Sequence, residues 1–107
     1  TGISYRGGAG VQLTRNWIEG STSSALSLYP DASPITDLTA RENTFDGGTY
    51  SVRGGTDKTF RDQLRDIKFL DNRFTRNYQY GPRAAWCGSC PGNEWRGNTY
   101  LDNGEPA

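Results

Sequence analysis

Few groups in this chain of 107 residues can do chemistry, and their types narrow what that chemistry can be. There is no histidine. Imidazole acid/base work, Ser-His and Cys-His nucleophile pairs and ordinary His-containing zinc sites are therefore excluded. The only cysteines, Cys87 and Cys90, frame Cys87-Gly88-Ser89-Cys90 inside the Gly/Pro-rich stretch from Pro82 to Asn93. A redox pair of this spacing normally opens a helix after a strand, and a metal site would need two further ligands. Neither context is present, so the fitting state is a local disulfide, which implies an oxidising compartment. Carboxylates gather at Asp57, Asp62 and Asp66, and a close pair of this kind can bind Ca²⁺ or split its pKa values. Lys58, Arg61 and Arg65 lie among them and support a simpler expectation. It is a short helical turn whose Phe60 and Leu64 face inward and whose charges face solvent. No cofactor, metal or catalytic residue is expected.

Something must position these groups, and composition limits what. One small domain covering residues 1–107 is the scale set by the length. Leu, Ile, Val and Phe number only 17, a share low enough to raise disorder, but the 12 Lys+Arg balance 12 Asp+Glu and there are 13 aromatics. Disorder wants high net charge and few aromatics, so the expectation is an ordered domain with a thin core filled by aromatic rings. Neutral charge with no basic block argues against nucleic acid as a partner. No run approaches the roughly eighteen apolar residues of a membrane span.

Self-similarity decides the architecture. Val11-Gln12-Leu13-Thr14-Arg15-Asn16-Trp17-Ile18 recurs as Leu38-Thr39-Ala40-Arg41-Glu42-Asn43-Thr44-Phe45 and as Ile67-Lys68-Phe69-Leu70-Asp71-Asn72-Arg73-Phe74. A weaker copy runs from Asn93-Glu94-Trp95 through Asn98 to Tyr100. Asn16, Asn43, Asn72 and Asn98 are spaced 27, 29 and 26 residues apart. Alternation before each Asn has period two, so it predicts a strand with Val11, Leu13 and their equivalents inward. A bend at the Asn starts a second strand, with Ile18, Phe45, Phe74 and Tyr100 inward. A third alternating segment appears at residues 3–5, 26–28, 50–52 and 78–80, which places Tyr50, Tyr78 and Tyr80 inward. Gly, Asn and Ser interrupt the chain too often for packed helices. An antiparallel sandwich would also use short strands, but gives no reason for an Asn at one fixed offset. Stacked coils do, because equivalent residues sit directly above one another and Asn side chains can bond from coil to coil. Asn also tolerates the left-handed backbone a sharp bend needs. The expected fold is all-β, a parallel β-solenoid of about four coils with three short strands each and long loops on one side.

With this Asn-centred repeat the chain resembles the right-handed parallel β-helix, or pectin-lyase-like, superfamily. Its final stretch, Tyr80-Gly81-Pro82 followed by Gly92-Asn93-Glu94-Trp95-Arg96-Gly97-Asn98-Thr99-Tyr100 and Asp102-Asn103-Gly104-Glu105-Pro106, is similar to the C-terminal coils of secreted actinobacterial β-helix proteins. The resemblance implies a secreted, extracellular protein and puts the four asparagines in the ladder between the second and third strands of each coil. It also makes the outer face of the first strand a polysaccharide groove. Ser4, Ser27, Ser51 and Gln79 would line that face, followed by Arg6, Tyr29, Arg53 and Gly81. Glycoside hydrolases of the superfamily need clustered aspartates there, and its lyases need an acidic Ca²⁺ site with a basic residue. Neither set is visible. Arg6, Arg53, Tyr29 and Trp86 remain as carbohydrate-binding candidates, arginine for sugar carboxylates and the rings for stacking. The plainer reading is a solvated face with Trp86 as a lid on the coil edge. Glu19 and Asp46 are expected to stack on the third strand.

Solenoid ends need caps. Thr1 enters directly at the first strand, and the chain holds no methionine, so the expectation is part of a longer solenoid or a processed subunit. The partner expected at the N-terminal edge is another β-helix coil or subunit, with Asn103 to Ala107 closing the other end. A non-catalytic structural or assembly module, of a kind that can stack head-to-tail, is the favoured function. The alternative is a carbohydrate-binding module, or the C-terminal part of a lyase or hydrolase acting on anionic polysaccharide.

Overall fold

A computed structural model describes residues 2–20, 23–54 and 63–107. The described strands are β1 (Ile3–Tyr5), β2 (Gly8–Thr14), β3 (Trp17–Gly20), β4 (Leu26–Leu28), β5 (Ile35–Arg41) and β6 (Thr44–Gly47), then β7 (Tyr50–Arg53), β8 (Leu64–Leu70), β9 (Arg73–Phe74), β10 (Gly81–Ala84), β11 (Glu94–Arg96) and β12 (Thr99–Tyr100). They form three parallel four-stranded sheets, ordered β1-β4-β7-β10, β2-β5-β8-β11 and β3-β6-β9-β12. The fold is a β-solenoid with three strands per turn. Four crossings of each sheet make about three turns, not four complete coils. Among the described residues, the longest connection, residues 85–93, joins the first sheet to the second, as does 29–34, whereas 75–80 joins the third sheet to the first.

The Asn-centred repeat sets the register. Val11 pairs with Leu38 and Leu38 with Ile67, while Ile18, Phe45, Phe74 and Tyr100 stack along the third sheet. Inside, Leu26, Leu28, Ile35, Leu38, Phe45, Ile67, Phe69 and Phe74 are all buried. Phe45 and Phe74 stack at 5.1 Å between centroids, and Phe69 lies 6.1 Å from Phe45. This aromatic stack compensates for the scarcity of aliphatic residues, since each ring buries a large apolar area.

The left-handed backbone at the bend belongs to the residue before each Asn. Arg15, Glu42, Asp71 and Gly97 have φ of 54°, 57°, 56° and 70°. Asn points inward while its predecessor turns the chain and points outward. A second left-handed column interrupts the second sheet at Gly10, Asp37, Asp66 and Gly92, with φ of 73°, 54°, 57° and 74°. This column explains why Ile35 and Leu38, three residues apart, are both buried.

Three expectations are corrected. Residues 78–80 are not a strand; the fourth strand of the first sheet is β10, with Gly81 opposite Tyr50 and Arg83 opposite Val52. The N–H groups of Gln79 and Tyr80 donate to the carbonyls of Gly48 and Thr49, which holds this stretch along the preceding turn and delays the strand. Tyr80 consequently faces outward and is 65% exposed, whereas Tyr50, Tyr78 and Tyr100 are half-buried. Ser51 does not join an outward hydroxyl row: it is fully buried and its hydroxyl donates to the Gly47 carbonyl at 2.8 Å. Leu64 is not on a helical turn but opens β8, buried and paired with Ile35. Its expected companion Phe60, with Asp57, Lys58, Arg61 and Asp62, lies outside the described residues.

Candidate functional site

The ladder is continuous and has a direction. Oδ1 of Asn43 accepts from the backbone N–H of Asn16 at 2.9 Å and from its Nδ2 at 3.1 Å. Asn72 accepts in the same way from Asn43, at 2.9 and 3.1 Å, and Asn98 from Asn72, at 3.1 and 2.9 Å. The remaining side-chain hydrogens of Asn43, Asn72 and Asn98 donate back to the carbonyls of Leu13, Ala40 and Phe69, each at 2.9 Å. Each interior amide thus spends four hydrogen bonds, which is why a buried polar residue is tolerated there.

Asn16 breaks the series. It is exposed, its Nδ2 reaches the Thr14 carbonyl of its own coil only at 3.3 Å, and its Oδ1 has no donor among the described residues. It lies on the edge formed by β1, β2 and β3, the outermost strands of their sheets. Ile3, Tyr5, Val11 and Leu13 on this edge are half-buried, whereas Leu26, Leu28, Leu38 and Ala40, their partners one coil deeper, are fully buried. Apolar side chains, strand backbone and a ladder acceptor therefore all face outward on one surface.

At the opposite end the C-terminal segment folds back over β12, the last strand of the third sheet. Thr99 forms an antiparallel bridge with Pro106, Tyr100 N–H donates to the Glu105 carbonyl at 2.8 Å, and Ala107 N–H donates to the Asn98 carbonyl at 3.0 Å. Trp95 Nε1 donates to the Ala107 carbonyl at 3.1 Å. The guanidinium of Arg83 lies 4.4 Å above the Trp95 ring and that of Arg76 lies 3.7 Å above Tyr100. Partial burial lowers the Arg83 pKa, but its cation remains over an aromatic face.

The carbohydrate candidates are scattered among structural contacts. Arg6 and Tyr29 follow a paired position, Tyr5 opposite Leu28, and so lie side by side. The Arg6 fork is engaged by Asp31, Nε to Oδ1 at 2.8 Å and Nη2 to Oδ2 at 2.6 Å. That hydrogen bond raises the Arg6 pKa and lowers that of Asp31, a partner that no sequence pattern singles out. Arg53 pairs in register with Ser27, two positions from where the repeat places it, and its guanidinium lies 5.7 Å from the Tyr50 ring. Trp86 packs against Phe69 and Trp95, both at 5.5 Å. Tyr29 is 45% exposed.

Cys87 and Cys90 form a disulfide. Their loop holds Asn93, whose Nδ2 donates to the Cys87 carbonyl at 3.2 Å and whose Oδ1 accepts from Ile67 N–H at 2.9 Å. Glu19 and Asp46 are adjacent in register, as the repeat implies. Asp46 accepts from Thr75 Oγ1 at 2.6 Å and Asn77 Nδ2 at 2.9 Å, which together hold its pKa below the usual carboxylate value. Among the described residues no three Cys, Asp or Glu side chains are grouped to hold a metal. Two shallow cavities of about 270 and 240 Å³ share Arg15 and Glu42 at the bend before the ladder, and Arg41, Asp71 and Arg73 extend them. None of the ion pairs among the described residues involves these five side chains.

Fold and site together define a parallel β-solenoid with one closed and one open end. Comparison of the chain with protein-family models, curated proteins and solved structures returns no match.

Proposed function

We propose that the chain is a non-catalytic, extracellular structural module of the right-handed β-helix, pectin-lyase-like kind, which closes a solenoid at one end and accepts another β-coil at the other. The asymmetry of the two ends carries this reading. An apolar strand edge left open is a pairing surface, and proteins that do not use such an edge blunt it with charge, proline or a covering segment. At the C-terminal end β12 is covered by the closing segment and β10 carries Pro82, whereas no described segment covers β1–β3. The disulfide agrees with an oxidising, secreted setting.

The test uses the backbone pattern of β1. Ile3 N–H and the Tyr5 carbonyl bond to the β4 side, at 2.8 Å each, so the alternate residue Ser4 directs its own groups to the open edge. Ser4→Pro removes an edge donor and leaves the β1–β4 pairing intact. Light scattering should show concentration-dependent association of the wild-type chain and a monomeric Ser4→Pro. A wild-type chain that stays monomeric at high concentration overturns the docking role, and cleavage of a polyuronate overturns the non-catalytic one.

A second reading rests on the corner cavities. Arg15, Arg41 and Arg73 have guanidinium groups free of ion pairs among the described residues, which suits carboxylates spaced along an anionic polysaccharide. Titration with polygalacturonate, repeated on Arg41→Ala, decides it. Absence of binding, or binding unaffected by the substitution, removes this reading.

A further inference from the structure

The inference rests on the reading that the β1–β2–β3 edge takes another coil, and it specifies which coil. We propose that the occupant is a parallel β-coil carrying asparagine at the ladder offset, and that the C-terminal end of a second copy does not fill this role.

The specification comes from the direction of the ladder. At all three junctions within the chain, the preceding coil supplies a backbone N–H and a side-chain N–H from a single Asn to one Oδ1 of the following coil. In return, the following Asn donates to a carbonyl three residues before the preceding Asn, namely Leu13, Ala40 or Phe69. Asn16 presents the receiving half of this junction: an Oδ1 without a donor among the described residues, and an Nδ2 that gives one hydrogen to Asn43 at 3.1 Å and reaches only the Thr14 carbonyl of its own coil, at 3.3 Å, with the other. Aspartate has no second donor to offer and would place an acceptor against Oδ1. Serine offers a single hydroxyl proton and no amide plane to span both positions. Asparagine satisfies both bonds.

A second copy meets an obstacle at its own C-terminal end. To stack head-to-tail it would have to release the Thr99–Pro106 bridge, the Ala107 bond to Asn98 and the Trp95 bond to Ala107. Growth by one chain upon the next is therefore blocked on one side. The isolated chain has only another open edge to meet, so its association stops at a dimer instead of a filament.

The register provides the experiment. Ile3 aligns with Leu26 and Leu26 with Val52, so a copy of residues 26–50 placed immediately before Gly2 in the full chain adds one coil in phase. Two versions are compared, one with the copied Asn43 retained and one carrying Asn43→Ala in the copy alone. Hydrogen exchange of the Val11 to Asn16 amides and thermal melting are measured in each. The amide of the copied residue 43, which donates to Asn16 Oδ1 in both versions, is followed as well, and the Asn-bearing coil should slow its exchange about tenfold relative to the Ala-bearing coil, the equivalent of the one side-chain hydrogen bond that differs. Equal protection by both versions overturns the asparagine requirement and leaves the edge reading standing. No protection by either overturns the edge reading itself. Filaments formed by the unextended full chain overturn the claim that its C-terminal end is closed to a second copy.

Discussion

Asn43→Ala is the sharpest test of the ladder because that side chain contacts both neighbouring coils. Alanine loses two bonds accepted from Asn16 and two donated to Leu13 and Asn72. At a net value of about 0.5 to 1.5 kcal/mol each, four bonds contribute roughly 2 to 6 kcal/mol. Two features fix the position within that range. Asn72 Oδ1 keeps its bond from the Asn43 backbone N–H, and Asn16 lies where water can replace the lost acceptor. The expected cost is about 3 kcal/mol, or a fall of roughly 12 to 24 °C in the melting midpoint for a domain of this size. Asn16→Ala is the internal control. Its side chain is exposed and makes one bond of 3.1 Å and one of 3.3 Å, so water compensates and the cost stays below about 1 kcal/mol. Asn72→Ala should cost more than Asn43→Ala, because it orphans the Asn43 N–H and the Ala40 carbonyl in the interior. Circular dichroism melts and urea titrations of the three variants give the ranking. If Asn43→Ala and Asn16→Ala differ by less than their errors, the ladder is not a source of stability and the reasoning fails.

Other perturbations address single contacts. Reduction of the Cys87–Cys90 bond should raise the intact mass by two hydrogens and destabilise by at most about 2 kcal/mol, as loop-entropy arguments give for so short a loop; exchange at Ile67, whose N–H depends on Asn93, should rise first. Trp95→Ala removes ring contacts to Phe69, Phe74 and Trp86 and the bond to Ala107, with an expected cost of about 3 to 5 kcal/mol read by urea unfolding. Asp46 has a folded pKa below its unfolded value, so its contribution is present above about pH 4 and is lost as pH falls through the folded pKa. Melts of Asp46→Asn should therefore lie below wild type at pH 6, with the gap narrowing as pH falls through the folded pKa; a constant gap would assign the difference to packing.

Asparagine made the coil readable because one polar residue recurs at a fixed offset among alternating apolar ones, a pattern with little other physical cause. Register in the first sheet was less legible. Alternation reveals a slip of one residue, which exchanges the faces, but not a slip of two, which preserves them. The repeat aligns Tyr50 with Leu26, whereas the structure pairs Val52 with it. β10 was hidden for a different reason. Tyr78-Gln79-Tyr80 has strand propensity and Gly81-Pro82-Arg83-Ala84 has little, yet the strand forms at the latter. Proline is acceptable there because β10 is the last strand of its sheet and pairs only with β7. The left-handed residues Arg15, Glu42 and Asp71 carry no mark in their side chains. Their backbone is imposed by the ladder, and only Gly97 in that column relieves the strain. The candidate sugar face depended on this misread register, so Arg6 and Tyr29 came out adjacent while Arg53 and Trp86 did not.

The distribution of side chains along the solenoid axis gives its two ends different surfaces. A terminal coil that is to remain in water must be apolar inside and polar outside, and large rings beneath cations meet both demands. Phe69, Phe74, Trp86, Trp95 and Tyr100 occupy the closing end, with Arg83 over Trp95 and Arg76 over Tyr100. A coil that is to be stacked upon needs flat strands and compact aliphatic side chains that the next layer can cover without collision. Ile3, Val11, Leu13 and Ile18 supply this at the opposite end, with Tyr5 the one ring among the inward side chains of that edge, beside Asn16, whose Oδ1 has no donor among the described residues. Bulk and charge on the open edge would obstruct an incoming coil; aliphatic groups at the closed end would leave an uncovered apolar surface. The same repeat, filled with different side chains at its two ends, is what the proposed role, terminating a solenoid on one side and continuing it on the other, requires.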